Sequence, residues 1–125
     1  MIQVTAAILV KDNKYLIAKR PAHDKLANKW EFAGGKIEDG ETPEECLKRE
    51  LYEEFKIRVK VGNYFYKSIY GEIELLAYYV EWIRGTMDLV VHDEIRWVAP
   101  GEFSSFDFAP ADLVIVAVLQ ESKKV

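Results

Sequence analysis

Gly34 to Ile57 reads GGKIEDGETPEECLKRELYEEFKI, and the spacing inside it governs how the rest of the chain is read. A helix over about residues 43–55 places Glu50, Glu53 and Glu54 at i, i+3 and i+4, on one face. At roughly 100° per residue, Leu47, Leu51 and Phe55 form an apolar stripe directly beside them. An ordinary surface helix sets its carboxylates opposite such a stripe and follows each with a lysine. Here Glu50 and Glu54 face each other as like charges, which costs roughly 0.2–0.5 kcal/mol in an isolated helix. Three carboxylates at the edge of a core need a counter-charge, and a hard divalent cation with oxygen ligands supplies one. The alternative is a solvated acidic helix; the position beside the stripe favours a metal site.

Working outward, Thr42-Pro43-Glu44-Glu45 is a helix start, with Thr as N-cap, Pro at the first helical position and Glu at the third. Before it, residues 2–10 (IQVTAAILV) read as a buried strand, and residues 14–20 as its hairpin partner across Asp12-Asn13. A polar loop, PAHDKLAN, leads to a short strand at residues 30–32. After the helix, β-rich runs over residues 57–69 and 72–83 meet at Tyr70-Gly71 as a hairpin. Residues 95–98 form a short strand, and about residues 110–121 a second helix. Strands interleaved with two separated helices predict an α/β fold, a mixed sheet covered on both faces.

The chain has 125 residues, one domain over 1–125, with half its residues apolar, so a packed core is expected rather than disorder. Net charge is −4, which argues against a nucleic-acid polymer as partner, since such domains usually carry a basic face. Mononucleotides remain compatible, because a metal and a few local cations can meet their phosphates. Cys46 is the only cysteine; no intramolecular disulfide is possible, and its place under the stripe reads as a small core residue. No basic leader precedes the first apolar run, and nothing approaches the ~18 apolar residues of a membrane span. The expectation is a cytoplasmic, soluble monomer or homodimer with no membrane partner.

Gly35, five residues, Glu41, seven residues, Arg49-Glu50-Leu51, one residue, Glu53-Glu54: this pattern resembles the Nudix box of nucleoside-diphosphate-linked hydrolases. The resemblance implies an α/β/α sandwich and a Mg²⁺ site, with Mn²⁺ as substitute. Its ligands would be Glu50, Glu53, Glu54 and the backbone carbonyl of Gly34, with Glu53 central. Arg49 would pair with Glu45 or Glu53 one turn away and hold the cluster in shape. Glu41, at the loop–helix junction, is either a dipole-favourable acid worth ~0.5 kcal/mol or a contact to metal-held water. The pattern departs at Lys56, where the family usually has a glycine as left-handed helix stop; a lysine there costs on the order of 1 kcal/mol, and a different helix exit would avoid it. It departs again at Val91, six residues before Trp97, where related proteins often carry a further carboxylate. Asp93 and Glu94 are the nearby candidates, and the general base stays open.

Outside the box, LANKWEFAGGKIEDGETPEE resembles the MutT-type nucleoside triphosphate pyrophosphohydrolases, and WEFAGGK with the later APAD resembles their CTP-preferring branch. That implies phosphate contacts from Arg20 and Lys36, with Gly35 beside them, and a base pocket lined by Phe32; the plainer readings are solubilising charges and a core phenylalanine. Asp112 stands where enzymes acting on oxidised guanine have asparagine. An ionised aspartate only accepts hydrogen bonds, which favours an exocyclic amine such as cytosine N4; a protonated one would blur that distinction. His23 and His92 lack partners at metal-ligand spacing and read as surface residues, while Leu76 and Tyr78 are weaker candidates for packing on the base. The reading is a Mg²⁺-dependent nucleoside triphosphate pyrophosphohydrolase for nucleotide-pool sanitation, acting on cytosine or modified nucleotides. Its rivals are hydrolysis of oxidised dGTP, a non-catalytic nucleotide sensor, and a structural partner protein.

Overall fold

The computed structural model describes residues 1–122. Six strands form one mixed sheet: β1 (Ile2–Lys11), β2 (Lys14–Lys19), β3 (Trp30–Glu31), β4 (Arg58–Tyr70), β5 (Ile73–Arg84) and β6 (Glu94–Val98). Two helices accompany it, α1 (Pro43–Phe55) and α2 (Pro110–Ser122). The order is β3-β2-β1-β5-β4, with β6 on the other side of β2. β1 and β5 run parallel and all other pairs are antiparallel.

The β1–β2 turn is tight because Asp12 and Asn13 both take positive φ, 53° and 64°, the conformation a two-residue hairpin needs and that Asp and Asn tolerate. Pairing between β1 and β2 lasts only two residue pairs, Val10 with Tyr15 and Lys11 with Lys14. Beyond them the strands part, and residues 33–37 fill the gap along β1. Thr5 and Ala7 donate backbone hydrogen bonds to Gly35 O (2.8 Å) and Ala33 O (2.7 Å). The two glycines therefore sit where the sheet splits, directly before α1.

Alternation along β1 divides the core. Ala6 and Ile8 face α2, with Phe32, Leu75, Phe103, Phe108, Ile115 and Leu119. Ala7 and Leu9 face α1, with Leu16, Leu47, Leu51, Phe55 and Ile57. Both faces of the sheet are thus covered, as expected of a mixed sheet with a central parallel pair.

Several expected details differ. The β4–β5 turn falls on Gly71-Glu72 rather than Tyr70-Gly71, with Tyr70 paired to Ile73 and Gly71 at φ 57°. A 3₁₀ turn at Pro100–Ser105, not anticipated, puts Phe103 into the core against Tyr15, Phe32 and Phe108. Lys56 does not change the helix exit: it takes the left-handed conformation itself (φ 60°, ψ 26°), and its N–H donates to Tyr52 O. No helix among the described residues is long and apolar enough to cross a membrane.

Candidate active site

The first wall of the site is α1 and the loop before it. Thr42 Oγ1 accepts from Glu45 N (3.1 Å) while Glu45 Oε1 accepts from Thr42 N (2.9 Å), a reciprocal cap that fixes where the helix starts. Glu45 is thereby committed, and Arg49 pairs elsewhere. Its Nε and Nη2 grip the two oxygens of Glu41 at 2.7 and 2.9 Å. Its Nη1 reaches Glu50 Oε1 (2.7 Å) and Glu53 Oε1 (3.0 Å), and Nη2 also donates to Lys36 O (3.1 Å). This fork ties loop to helix, and the bidentate contact holds the Glu41 carboxyl down at about 2.

Two glycines let the backbone press against this wall. At Gly34 (φ 149°) a Cβ would lie 2.0 Å from Thr5 O. At Gly35 a Cβ would lie 2.4 Å from the Glu50 carboxylate carbon, so Glu50 rests against bare backbone. Burial pushes the Glu50 carboxyl up despite Arg49. Glu54 goes further, to about 8: desolvation dominates, the charges of Glu50 and Glu31 add to it, and a hydrogen bond from Gly34 opposes it. Glu54 Oε1 is buried without a hydrogen-bond partner.

Among the described residues, no three His, Cys, Asp or Glu side chains converge as a ready metal cage. The reason is visible in Arg49, which lies between Glu50 and Glu53 and supplies the counter-charge itself. The donor set still fits a hard cation: the Glu50 and Glu54 carboxylates are near enough for their charges to couple, one Glu54 oxygen is buried and unpaired, and bare glycine backbone presses against Glu50. Of the expected ligands Glu50 and Glu54 line the cleft, while the Glu53 side chain is 57% exposed and faces outward with Arg49.

The cleft has a volume of about 590 Å³, and the facing wall comes from distant segments. Arg20, just past β2, is clamped by Asp24 (Nε 3.0 Å, Nη2 2.9 Å) and by Glu31 Oε1 (2.6 Å). Phe32 is buried, stacked on Phe108 at 5.8 Å, and its N–H donates to Asp112 Oδ1 (3.0 Å). Asp112 lines the cleft although only 6% exposed, and burial, followed by the charge of Glu31, raises its carboxyl to about 8. Depth therefore favours the protonated form of Asp112, which donates as well as accepts and would blur the preference of an acceptor-only aspartate. Lys36 is exposed at the rim.

Of the expected site residues, Arg20, Phe32, Gly34, Gly35, Lys36, Glu50, Glu54 and Asp112 share this cleft; Glu41, Arg49 and Glu53 stand behind or beside it. Two expectations are corrected. His92 is not a surface residue: its side chain is 2% exposed, stacks flat on Phe55 and meets Glu31 Oε2 at 2.9 Å. Leu76 and Tyr78 do not line the cleft; Ile73 and Leu75 do, since a strand alternates its faces and a one-residue offset reverses them. Val91 lies on the rim, and neither Asp93 nor Glu94 joins the lining; Glu94 is paired with Lys19 and Arg96. Glu31 was missed, because nothing in its local sequence announces that Arg20 and His92 share it.

With that geometry in place, the likenesses to known proteins are informative. A CTP pyrophosphohydrolase of Escherichia coli (strain K12) is 40% identical over 120 residues, covering 93% of this chain and 89% of the relative. An 8-oxo-dGTP diphosphatase of the same organism is 34% identical over 124 residues, covering 95% and 96%. The solution structure of the E. coli ORF135 protein superposes with a TM-score of 0.85 at 36% identity, over 100% of this chain and 94% of that one. A MutT protein from Methanosarcina mazei gives 0.78 at 23% identity over 98% and 96%, a likeness of fold alone. The NUDIX domain family model matches residues 1–119, and the chain belongs to that family.

Proposed function

We propose that this hydrolase cleaves nucleoside triphosphates between the α and β phosphates, releasing nucleoside monophosphate and pyrophosphate. One observation carries the reading: Glu50 and Glu54 form one wall of a cleft whose other end holds Phe32 over a buried Asp112. The carboxylate wall suits a charged phosphate chain, and the apolar end suits a base.

Glu50 and Glu54 in the cleft wall, with the Gly34 carbonyl, would hold Mg²⁺, with Mn²⁺ as substitute, and Glu53 would join them by turning in from Arg49. The bound ion would offset phosphate charge and make the attacking water more acidic. The protein's own residues do the rest. Arg49 holds Glu41, Glu50 and Glu53 in register. Arg20 and Lys36 meet the phosphates, holding the α–β bridge for in-line attack by water as one of its P–O bonds breaks and nucleoside monophosphate and pyrophosphate part. Phe32 packs on the base, and Asp112 reads its edge. The pool of cytosine or modified nucleotides in the cytoplasm is the substrate, and the role is sanitation. A relative named for CTP supports cytosine. The raised Asp112 carboxyl favours a second reading, oxidised guanine, because a protonated carboxyl both donates and accepts, as an asparagine amide does.

A turnover screen in Mg²⁺ over normal and oxidised triphosphates, with pyrophosphate and orthophosphate assayed separately, tests this. Pyrophosphate from CTP or 8-oxo-dGTP, abolished by EDTA, is expected. Orthophosphate as the first product, or no turnover of any triphosphate, overturns it.

A further inference from the structure

Residues 85–93 join β5 to β6 and close against α1. Asp88 N–H donates to Phe55 O (2.9 Å) and Val90 N–H to Glu54 O (3.1 Å). The loop thereby satisfies two of the carbonyls that a helix leaves unpaired at its C-terminus. His92 follows at once. Its ring lies on Phe55 with centroids 5.2 Å apart and planes 7° from parallel.

A phenylalanine or leucine would fill that space as well, and without desolvating polar atoms. The histidine instead leaves Nδ1 buried and unpaired, a desolvation cost that packing does not require. What the histidine adds is a second ring nitrogen, Nε2, 2.9 Å from Glu31 Oε2. A carboxylate only accepts, so Nε2 donates. Glu31 Oε1 takes Arg20 Nη1 at 2.6 Å, and Arg20 Nε and Nη2 close on Asp24. Four side chains from three separate segments thus make one hydrogen-bonded chain along the cleft wall. Three of the five guanidinium N–H donors of Arg20 serve as anchors, and two remain for an anion.

We propose that His92 is a positioning residue: by holding Glu31 it fixes the Arg20 guanidinium at the phosphate end of the cleft. The geometry stands by itself; the consequence for substrate rests on the proposed triphosphate chemistry. The two are separated by reading Arg20 without nucleotide.

His92→Phe keeps a flat ring on Phe55 and loses the donor; His92→Leu, also without a donor, covers the case that the phenylalanine variant fails to fold. His92→Gln retains an N–H that can reach Glu31. In ¹⁵N NMR of the nucleotide-free protein, the Arg20 Nη1–H signal, from the donor that Glu31 holds, should be sharp in wild type and His92→Gln. It should be broadened by exchange with water in His92→Phe and His92→Leu. With CTP and Mg²⁺, KM should rise about tenfold in the donor-less variants, with kcat within about twofold. His92→Gln should restore it, and in an Arg20→Gln background His92→Phe should add nothing. A sharp Arg20 signal in both donor-less variants overturns the proposal, as does equal loss of it in His92→Gln, which would mean packing alone. If wild type turns over no CTP, the substrate reading fails while the Arg20 signal still decides the role of His92.

Discussion

The two walls of the cleft are made in opposite ways. The α1 wall is one continuous segment: Gly34 to Glu54 supplies the glycine backbone, the clamped Glu41, the Arg49 fork and the carboxylates. The facing wall is gathered from four places, with Arg20 after β2, Glu31 in β3, His92 before β6 and Asp112 in α2. Burial acts on both, raising Glu54 and Asp112 alike to about 8, but their neighbours differ. Glu54 answers first to another carboxylate on its own helix, Glu50, and then to Glu31; Asp112 answers to Glu31, from another segment of its own wall. A local wall encodes its chemistry in spacing; an assembled wall encodes it in packing. Changes in the first should strike turnover, and changes in the second selectivity and binding.

The largest expected effect comes from Glu54→Gln. It keeps the shape and removes the carboxylate that a bound cation would hold anionic, so kcat should fall on the order of 10³-fold if several kcal/mol of charge stabilisation is lost. Because the buried carboxyl is itself a desolvation burden, Tm should hold or rise. A kcat within tenfold of wild type would break the contrast, since the local wall would then not carry the chemistry.

Gly35→Ala sharpens it from the backbone side. The new methyl would meet the Glu50 carboxylate at 2.4 Å, a distance real Cβ atoms do not hold, so Glu50 must swing away from α1's inner edge. A loss of roughly 10²-fold in kcat is expected, with KM little changed. If KM alone moves, Gly35 belongs with substrate binding and Glu50 is dispensable to the reaction.

For the assembled wall the test is pH. Asp112 is protonated in the folded protein up to about 8, whereas the unfolded chain releases that proton near its ordinary value of 3.8. Between those values the folded state binds the extra proton, so this group's contribution to stability is lost as pH rises through about 8. Asp112→Asn should flatten part of the fall of Tm between pH 5 and 9. In the wild type, the ratio of CTP to 8-oxo-dGTP turnover should climb severalfold from pH 7 to 9 as Asp112 becomes acceptor-only. The asparagine variant should show no such climb beyond what the bases themselves contribute. Parallel Tm curves for the two proteins would show that Asp112 is already ionised, and the cytosine argument would regain its original form.

How far the sequence could be read follows the same division. Helix α1 was legible to the residue, because Thr42, Pro43 and Glu45 write its start and the stripe of Leu47, Leu51 and Phe55 writes its buried face. Both long strands and the Asp12-Asn13 turn were legible for similar local reasons. The Arg49 partners were legible in part: of Glu45 and Glu53, each one turn away, the cap consumed Glu45 and Glu53 was kept, while the loop delivered Glu41. His92 could not be read at all, since its burial depends on Phe55 and its partner on β3. The upward shift of the Asp112 carboxyl is likewise a property of depth, which no spacing carries.

The smallest effect tests whether the end of the local segment is separable from the wall it bounds. Lys56 occupies a left-handed conformation (φ 60°, ψ 26°) that costs a non-glycine residue about 1 kcal/mol. Part of that returns through its ammonium, 5.1 Å from the Tyr52 ring, an exposed contact worth about 0.5 kcal/mol. Glycine would remove the strain, lose the ring contact and add disorder to the unfolded chain, so the terms nearly cancel. Lys56→Gly should therefore shift Tm by no more than about 2 °C in either direction. Its kcat should stay at the wild-type value, because Lys56 does not line the cleft and the N–H bond to Tyr52 O is kept in the same backbone conformation. A fall in kcat without loss of Tm would mean that the helix exit sets the placement of Glu54, two residues upstream. The wall would then extend past Phe55, and the glycine the family prefers would serve the carboxylates as well as the helix.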